Sequence, residues 1–502
     1  MQDPAPPPDP LGRRVVSATR WSLLNTVVIR IGTFGSSVIL ARYLLSPSDW
    51  GLYAVGLVAL TILLSANEMG VSLAMVRWDG DVRRYAPTVL TLSTISSVGL
   101  YGLFFLAAPT IARLLGSAQA TNVLRVLCFS VVIDGLACVP NGYITREFRQ
   151  VTRMMLDLGS FVVSTGLTVA LAVAHFGAMS FAWGAIAGNV VALTGAVIAA
   201  PGLLRFGWDR DQARALLRFG LPLAGASLLV LAMLSVDSAV VGAVLGPAAL
   251  GLYQVAFNVS SWPVRIVSDA ARRVSFAGFS RIAHSRDALS DGFCMALTFL
   301  LAAATPAAVV LGVLAVPVIH LIYGSAWTQA ARALQFLAFL GLLRVAFEAM
   351  YDCLVAAHRR RDLLVVQGLW FVALIPVLLI LARRGGIEGV GLGHVLVAAL
   401  LIAPAFIIAL ARAGIRPGAV ARAAVAPLLW GGLAAATAAL IRHWLGDGVV
   451  GLAAAGAGAM LAYAPMVLRL RRLVRKPVAP PSRTSTVDSP GLRVSVEVSS
   501  GG

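Results

Sequence analysis

The sequence predicts an all-α polytopic membrane protein, with about fourteen transmembrane helices in two six-helix lobes plus two C-terminal helices. Three observations carry this expectation. Composition is the first: the 502 residues are 59% hydrophobic and only 12% charged, where a soluble chain carries about a quarter charged residues. The second is the recurrence, from end to end, of apolar runs near the roughly 20 residues that span a bilayer as helix. Alternating ten-residue patterns of the outer-membrane barrel type are absent from the sequence. The third is an internal repeat. Leu45-Ser-Pro-Ser-Asp-Trp-Gly-Leu-Tyr53 returns as Leu245-Gly-Pro-Ala-Ala-Leu-Gly-Leu-Tyr253, with Leu, Pro, Gly, Leu and Tyr conserved in place.

The apolar runs place the spans at 21–43, 51–73, 87–113, 121–144, 155–175, 178–200, 216–243, 250–272, 291–320, 330–357, 363–382, 387–411, 423–442 and 448–468. A second match extends the repeat. Leu124, Leu127 and Phe129 in the fourth span correspond to Leu334, Leu337 and Phe339 in the tenth, now ten residues further apart. The expected division is a cytoplasmic N-terminus (1–20), an N-lobe (21–200), a C-lobe (216–411), two extra helices (423–468) and a disordered basic tail (469–502). The copies run in parallel topology, related by an axis along the membrane normal.

The formal charge of +18 does not point to nucleic acid. Basic residues fall in short clusters between spans, and with an inside N-terminus 28 of them face the cytoplasm against 6 outside. That asymmetry is the topology signal of a cytoplasmic-membrane protein with both ends inside. Lysine occurs once, at Lys476, before Pro477, which excludes a G-x-x-x-x-G-K-[ST] phosphate loop. No H-E-x-x-H, G-x-S-x-G or zinc spacing is present, so the chain reads as a non-enzyme without cofactor or metal. Cys128, Cys138, Cys294 and Cys353 lie in apolar runs, as small buried hydrophobes do. His175, His284, His320, His358, His394 and His443 lie near span ends and are expected at interfaces.

In each repeat the motif joins an odd to an even span on the outer face. Pro47 and Pro247 stop helix propagation, Gly51 and Gly251 allow a tight turn into the next span, and Tyr53 and Tyr253 are expected at headgroup level. The chemistry is sought in ionisable residues within spans, since each costs several kcal/mol in hydrocarbon and so marks a pathway or a pair. The candidates are Arg30, Arg265 and Arg344 for binding an anionic substrate. Glu68, Asp134, Asp237, Asp269, Glu348 and Asp352 are candidates for coupling or structural charge. Arg265 and Asp269 share a helix face, as do Arg344, Glu348 and Asp352 at i, i+4, i+8. Arg30 has no acid within pairing distance on its own helix. Arginine suits a phosphate-bearing substrate because its planar fork binds oxyanions bidentately and stays charged.

Several stretches resemble one family. They are Arg20-Trp21, Ala41-Arg-Tyr-Leu-Leu-Ser-Pro-Ser-Asp-Trp-Gly-Leu-Tyr53, Asn67-Glu-Met-Gly-Val-Ser72, Phe219-Gly-Leu-Pro222, Val236-Asp-Ser238 and Leu245–Tyr253. They are similar to polysaccharide-repeat-unit (Wzx-type) flippases of the multidrug/oligosaccharidyl-lipid/polysaccharide exporter superfamily. The resemblance covers about residues 15 to 470. It implies two six-helix lobes around a central cavity, and export of a polyprenyl-diphosphate-linked glycan, with Arg30, Arg265 and Arg344 facing the diphosphate. Membrane lipid, a polysaccharide polymerase and glycosyltransferases are the implied partners, and nucleic acid is not among them. A lipid II flippase, a cation-coupled drug antiporter and a polysaccharide-assembly scaffold are the alternatives. The arginine-rich signature of lipid II flippases is absent at Met75–Asp81, and the first span lacks the acid typical of drug antiporters.

Overall fold

A computed structural model describes residues 10–68, 82–147, 149–282 and 286–475. Among the described residues the secondary structure is helical, and the chain is a multi-pass membrane protein. The helices are α1 Pro10–Ile39, α2 Pro47–Glu68, α3 Val82–Leu114, α4 Ala120–Cys128, α5 Ser130–Arg146, α6 Gln150–Val173 and α7 Met179–Ala199. They continue as α8 Arg210–Ile282, α9 Arg286–Val313, α10 Ala315–Tyr323, α11 Ala330–Ala356, α12 Arg360–Val397, α13 Ala403–Arg412, α14 Pro417–Leu445 and α15 Val449–Arg475.

Two of these helices are each two spans joined without a loop. α8 breaks at Gly246, whose φ of 83° and ψ of 177° leave the helical region. That conformation favours glycine, and Pro247 then starts the second arm. α12 breaks at Gly385 and Gly386 and runs on through a π-turn, Ala398–Ile402, into α13. α4 and α5 form one span, while α9 spans by itself and the nine-residue α10 is too short for a crossing of its own. Counted this way, the crossings among the described residues number fourteen, as the apolar runs predict.

The helix ends differ from expectation at both termini. α1 is helical from Pro10 rather than from residue 21. α15 continues to Arg475, into the stretch expected to be tail; the remainder of that tail lies outside the described residues.

Local chemistry explains how α1 gives way to α2. A π-turn at Leu40–Leu44 ends α1, closed by Leu45 N–H on the Leu40 carbonyl at 2.8 Å. Ser46 and Asp49 then cap α2 reciprocally. The Asp49 amide donates to Ser46 Oγ at 3.2 Å, and the Ser46 amide donates to Asp49 Oδ2 at 3.1 Å. This is a capping box built on Ser-Pro-Ser-Asp, with Pro47 at the first helical position.

Packing follows membrane rather than aqueous logic, with small residues letting backbones approach. On α7, Gly184 and Gly188 stand where a Cβ would strike the Ser164 and Ser160 carbonyls of α6. α14 and α15 pair with each other and pack on α9. The second repeat match holds at the level of burial: Leu124, Leu127, Leu334 and Leu337 are buried, while Phe129 and Phe339 are both exposed. The most extensive packing between any two helices is α2 on α8.

Candidate functional site

The α2–α8 contact brings the two copies of the repeated hairpin face to face. A Cβ on Gly51 would overlap the Pro247 carbonyl, and a Cβ on Gly251 would overlap the Pro47 carbonyl. Each glycine therefore admits the proline turn of the opposite copy. Flanking contacts repeat the pattern. Gly116, at φ 83°, leaves no room for a Cβ beside the Gly242 carbonyl. On the other flank, Trp327 Nε1–H donates to the Ala41 carbonyl at 2.8 Å, and Arg42 donates to the Leu321 carbonyl. Gly116-Ser-Ala118 and Gly324-Ser-Ala326 are a further repeated tripeptide, and both glycines take positive φ. That match was the available sequence signal for these two loops.

Aromatic rings fill the junction. Trp50 meets Phe181 and Trp327 edge-on, at 5.1 and 5.7 Å, and Tyr53 stacks on Phe181 at 4.2 Å. Tyr53 is thus held by a ring rather than presented to headgroups. About three turns along the helices from the hairpin end, Phe34 of α1 touches Trp262 of α8 at 4.3 Å between centroids.

The candidate charges distribute around this frame. Arg30 is exposed and lies four residues before Phe34, so it shares the α1 face that meets α8. Arg344 on α11 is half-buried, with its guanidinium carbon 5.9 Å from the Phe257 ring centroid. On the same helix Glu348 is half-buried, with Oε2 buried and lacking a hydrogen-bond partner, and Asp352 is half-buried. Asp134 is half-buried on α5 and accepts from Asn67 Nδ2 at 3.4 Å. Glu68, Arg265 and Asp269 lie on α2 and α8, and their side chains lie outside the described ones.

Asp237 is the deepest of the described candidates, at 5% exposure. It accepts Tyr253 O–H at Oδ2 (2.9 Å) and the Ser238 amide at Oδ1 (2.7 Å). His394 from α12 completes the group, with Nε2 3.3 Å from Tyr253 Oη and 3.8 Å from Asp237 Oδ2. Two expectations are corrected here. Tyr253 is fully buried and hydrogen-bonded, not at headgroup level, and His394 is buried at 7% exposure rather than interfacial. Both were read by their nearness to span ends. Asp237 and Tyr253 lie on the two arms of α8, but His394 comes from 141 residues beyond Tyr253, so no local pattern marks the convergence.

The comparisons with known proteins agree with this architecture. A profile described as "Polysaccharide biosynthesis protein" matches residues 39–332, more than half of the chain. Among curated proteins, the succinoglycan biosynthesis transport protein ExoT of Rhizobium meliloti is 26% identical over 63% of this chain and 64% of its own length. The match therefore spans just under two thirds of that relative. The lipopolysaccharide biosynthesis protein WzxC of Escherichia coli is 24% identical over 77% of this chain and 79% of that protein. Among solved structures, the lipid II flippase MurJ in an inward closed conformation superposes with a TM-score of 0.71. It is 14% identical, covering 91% of this chain and 100% of that one, a likeness of fold.

Proposed function

The chain belongs to the polysaccharide biosynthesis protein family, and from that premise we propose that it is a flippase for polyprenyl-diphosphate-linked oligosaccharide. It works by alternating access between an N-lobe (residues 21–200) and a C-lobe (216–411), with α14 and α15 added to the C-lobe side. The need is physical: a diphosphate and several sugars lose too much hydration to cross hydrocarbon unaided. A cleft that replaces that hydration, open to one side at a time, removes the barrier, while the lipid tail stays in the bilayer.

The observation that carries this reading is the junction of the two repeated hairpins. Two parallel-topology copies meet head-on through Gly51, Pro247, Gly251 and Pro47, which closes one end of the interface between them. The basic clusters between spans support placing that end outside, with both termini in the cytoplasm of a cytoplasmic-membrane protein. The state is then outward-closed, ready to load from within. Arg30, on the α1 face beside the Phe34–Trp262 contact, and Arg344, beside Phe257, supply cations from both copies for the diphosphate. Arg265, three residues beyond Trp262 in register, is the third. Asp134 with Asn67, together with Glu68, Asp269, Glu348 and Asp352, serve as packing charges or as part of the coupling path. The glycosyltransferases that build the cargo and the polymerase that consumes it are the expected partners.

The test is reconstitution of the full chain in liposomes carrying a fluorescent polyprenyl-diphosphate oligosaccharide. Protein-dependent movement of the probe between leaflets, scored by a membrane-impermeant quencher, is expected. Movement no faster than in empty vesicles would overturn the proposal, as would transport of a cationic dye in place of the lipid probe.

A further inference from the structure

We propose that Arg113 and Arg125 form a lipid-phosphate site on the bilayer-facing side of the N-lobe, apart from the cleft between the lobes. The flippase reading enters only in calling this end of the protein outer. The site itself stands on local geometry, on charge and on the repeat.

The sequence sets the geometry. Pro109 lies inside α3 and has no N–H, so the carbonyl of Phe105, four residues earlier, loses its helical donor. Arg125 of α4 replaces that donor. Its Nε donates to the Phe105 carbonyl at 3.3 Å, and its guanidinium carbon stands 4.4 Å from the Phe105 ring centroid. The two helices are tied again where Tyr101 O–H donates to the Arg125 carbonyl at 3.1 Å. One turn further along α3, Arg113 Nε donates to the Pro109 carbonyl at 3.2 Å. Both guanidinium groups are thus held through Nε, on carbonyls about 6 Å apart along one helix. The two terminal amino groups of each remain available, and that edge can bind two phosphate oxygens side by side.

The charge here is unbalanced. Among the described residues neither arginine has an acidic partner. Like charges one turn apart repel, and a guanidinium within a span is costly without an anion. A neutral donor would serve the Phe105 carbonyl equally well, so that carbonyl does not account for the charge.

The repeat provides a control within the molecule. Aligning Leu124 with Leu334 puts Gln335 in the place of Arg125, and aligning Gly116 with Gly324 puts Leu321 in the place of Arg113. The C-lobe therefore builds the corresponding turn and span with neither charge. Folding of this unit does not require two arginines, and their presence in one copy calls for a use.

The surroundings identify the ligand. Leu103, Leu106 and Leu114 of α3 are 69%, 78% and 70% exposed, so this side of the spanning helix meets hydrocarbon. Arg113 lies seven residues after Leu106 and shares its face. Phe129, also exposed, extends the aromatic surface beside Tyr101, at 5.5 Å between centroids. An anion that reaches this surface from within the bilayer is a phosphate carried on a lipid. Two neighbouring cations fit the headgroup of an anionic phospholipid or the diphosphate of a polyprenyl carrier. Arg113 is three residues before Gly116, whose backbone packs against the Gly242 carbonyl. The bound headgroup therefore sits on the flank of the hairpin junction.

The test uses the full chain in nanodiscs of mixed phosphatidylcholine and phosphatidylglycerol, with Cys128, Cys138, Cys294 and Cys353 replaced by alanine. A fluorophore is attached at Thr110→Cys, an exposed position between Leu106 and Arg113. It is quenched by either lipid carrying a nitroxide high in one acyl chain. Phosphatidylglycerol should be enriched there about fivefold or more over phosphatidylcholine, the ratio that one arginine contributes at an anionic lipid surface. A fluorophore at Ile95→Cys, further along α3 and also exposed, should show no such preference. Arg113→Gln together with Arg125→Gln, which keeps a donor for the Phe105 carbonyl, should abolish the enrichment. Arg113→Gln alone, whose contact stays within α3, should at least halve it. Unlabelled polyprenyl diphosphate then separates the sources: recovered fluorescence assigns the site to the diphosphate carrier, and persistent quenching assigns it to phospholipid. Equal quenching by the two lipids at Thr110→Cys overturns the site. An equal preference at Ile95→Cys, or an enrichment unchanged in the glutamine variants, does so too. No translocation is scored, so failure here leaves the flippase reading standing, and failure of the liposome test leaves this site standing.

Discussion

Gly51 lies against the carbonyl of Pro247 so closely that no side chain fits between them, and Gly251 lies against Pro47 in the same way. At these two points the halves of the junction meet backbone to backbone, each proline turn seated on the glycine of the other copy. Gly51→Ala and Gly251→Ala should each prevent full closure. Overpacking of this kind costs about 1–3 kcal/mol, visible as a lowered thermal midpoint of the purified protein. A membrane-impermeant thiol reagent should also label a cysteine placed at Ala248 faster than in the parent. Gly99→Ala on α3, where a Cβ meets nothing within 4 Å, should do neither.

The same junction depends on one buried indole. Trp327 is fully buried, and its Nε1–H reaches across to the Ala41 carbonyl at the end of α1. Trp327→Phe retains a ring against Trp50 but leaves that carbonyl without its donor. An orphaned buried acceptor costs about 1–3 kcal/mol. The loss should appear in a melting curve and should add little to that of Gly51→Ala, if both report the same closed junction. Full additivity would place the two contacts in independent units.

Much of this architecture was legible in the sequence, for definable reasons. Hydrophobic runs fix the number of crossings because a bilayer imposes one length on every helix. Pro247 marked a break, and the hairpin repeat marked two related parts. What the sequence concealed was that the two hairpins touch. A repeat shows that two segments are alike, and it is silent on whether they meet. Asp237 was marked by its charge within a span, but its partners Tyr253 and His394 were hidden for a related reason. Tyr253 follows a Pro-Gly turn and His394 sits among Gly389, Gly391 and Gly393, so both look like span-end residues.

Asp49 joins three segments at the hairpin end. Its carboxylate caps α2 through Ser46, and its Oδ1 accepts the Ala178 amide at 3.2 Å, at the turn where His175 and Gly177 take positive φ. Asp49→Ala removes the cap and this cross-tie together, and should cost about 1–2 kcal/mol. Asp49→Asn keeps one acceptor oxygen and should recover part of that loss. Hydrogen exchange would locate the effect: faster exchange at the start of α2 and at Ala178, with α11 unchanged.

The binding role proposed for Arg30 leads to the sharpest functional expectation. It stands one turn from Phe34, on the α1 face that meets Trp262 of α8, where a diphosphate entering between the copies would pass. A charge-assisted hydrogen bond to an oxyanion contributes about 1.5–3 kcal/mol, so Arg30→Ala should weaken cargo binding by about ten- to a hundredfold. Arg30→Lys preserves the charge but not the bidentate fork, and should fall between the two. The readout is movement of the fluorescent lipid-linked oligosaccharide in liposomes, at matched protein level and with an unchanged melting curve. Arg344→Ala should act in the same direction from the opposite copy. Parent-like rates in both variants would remove these arginines from the cargo path.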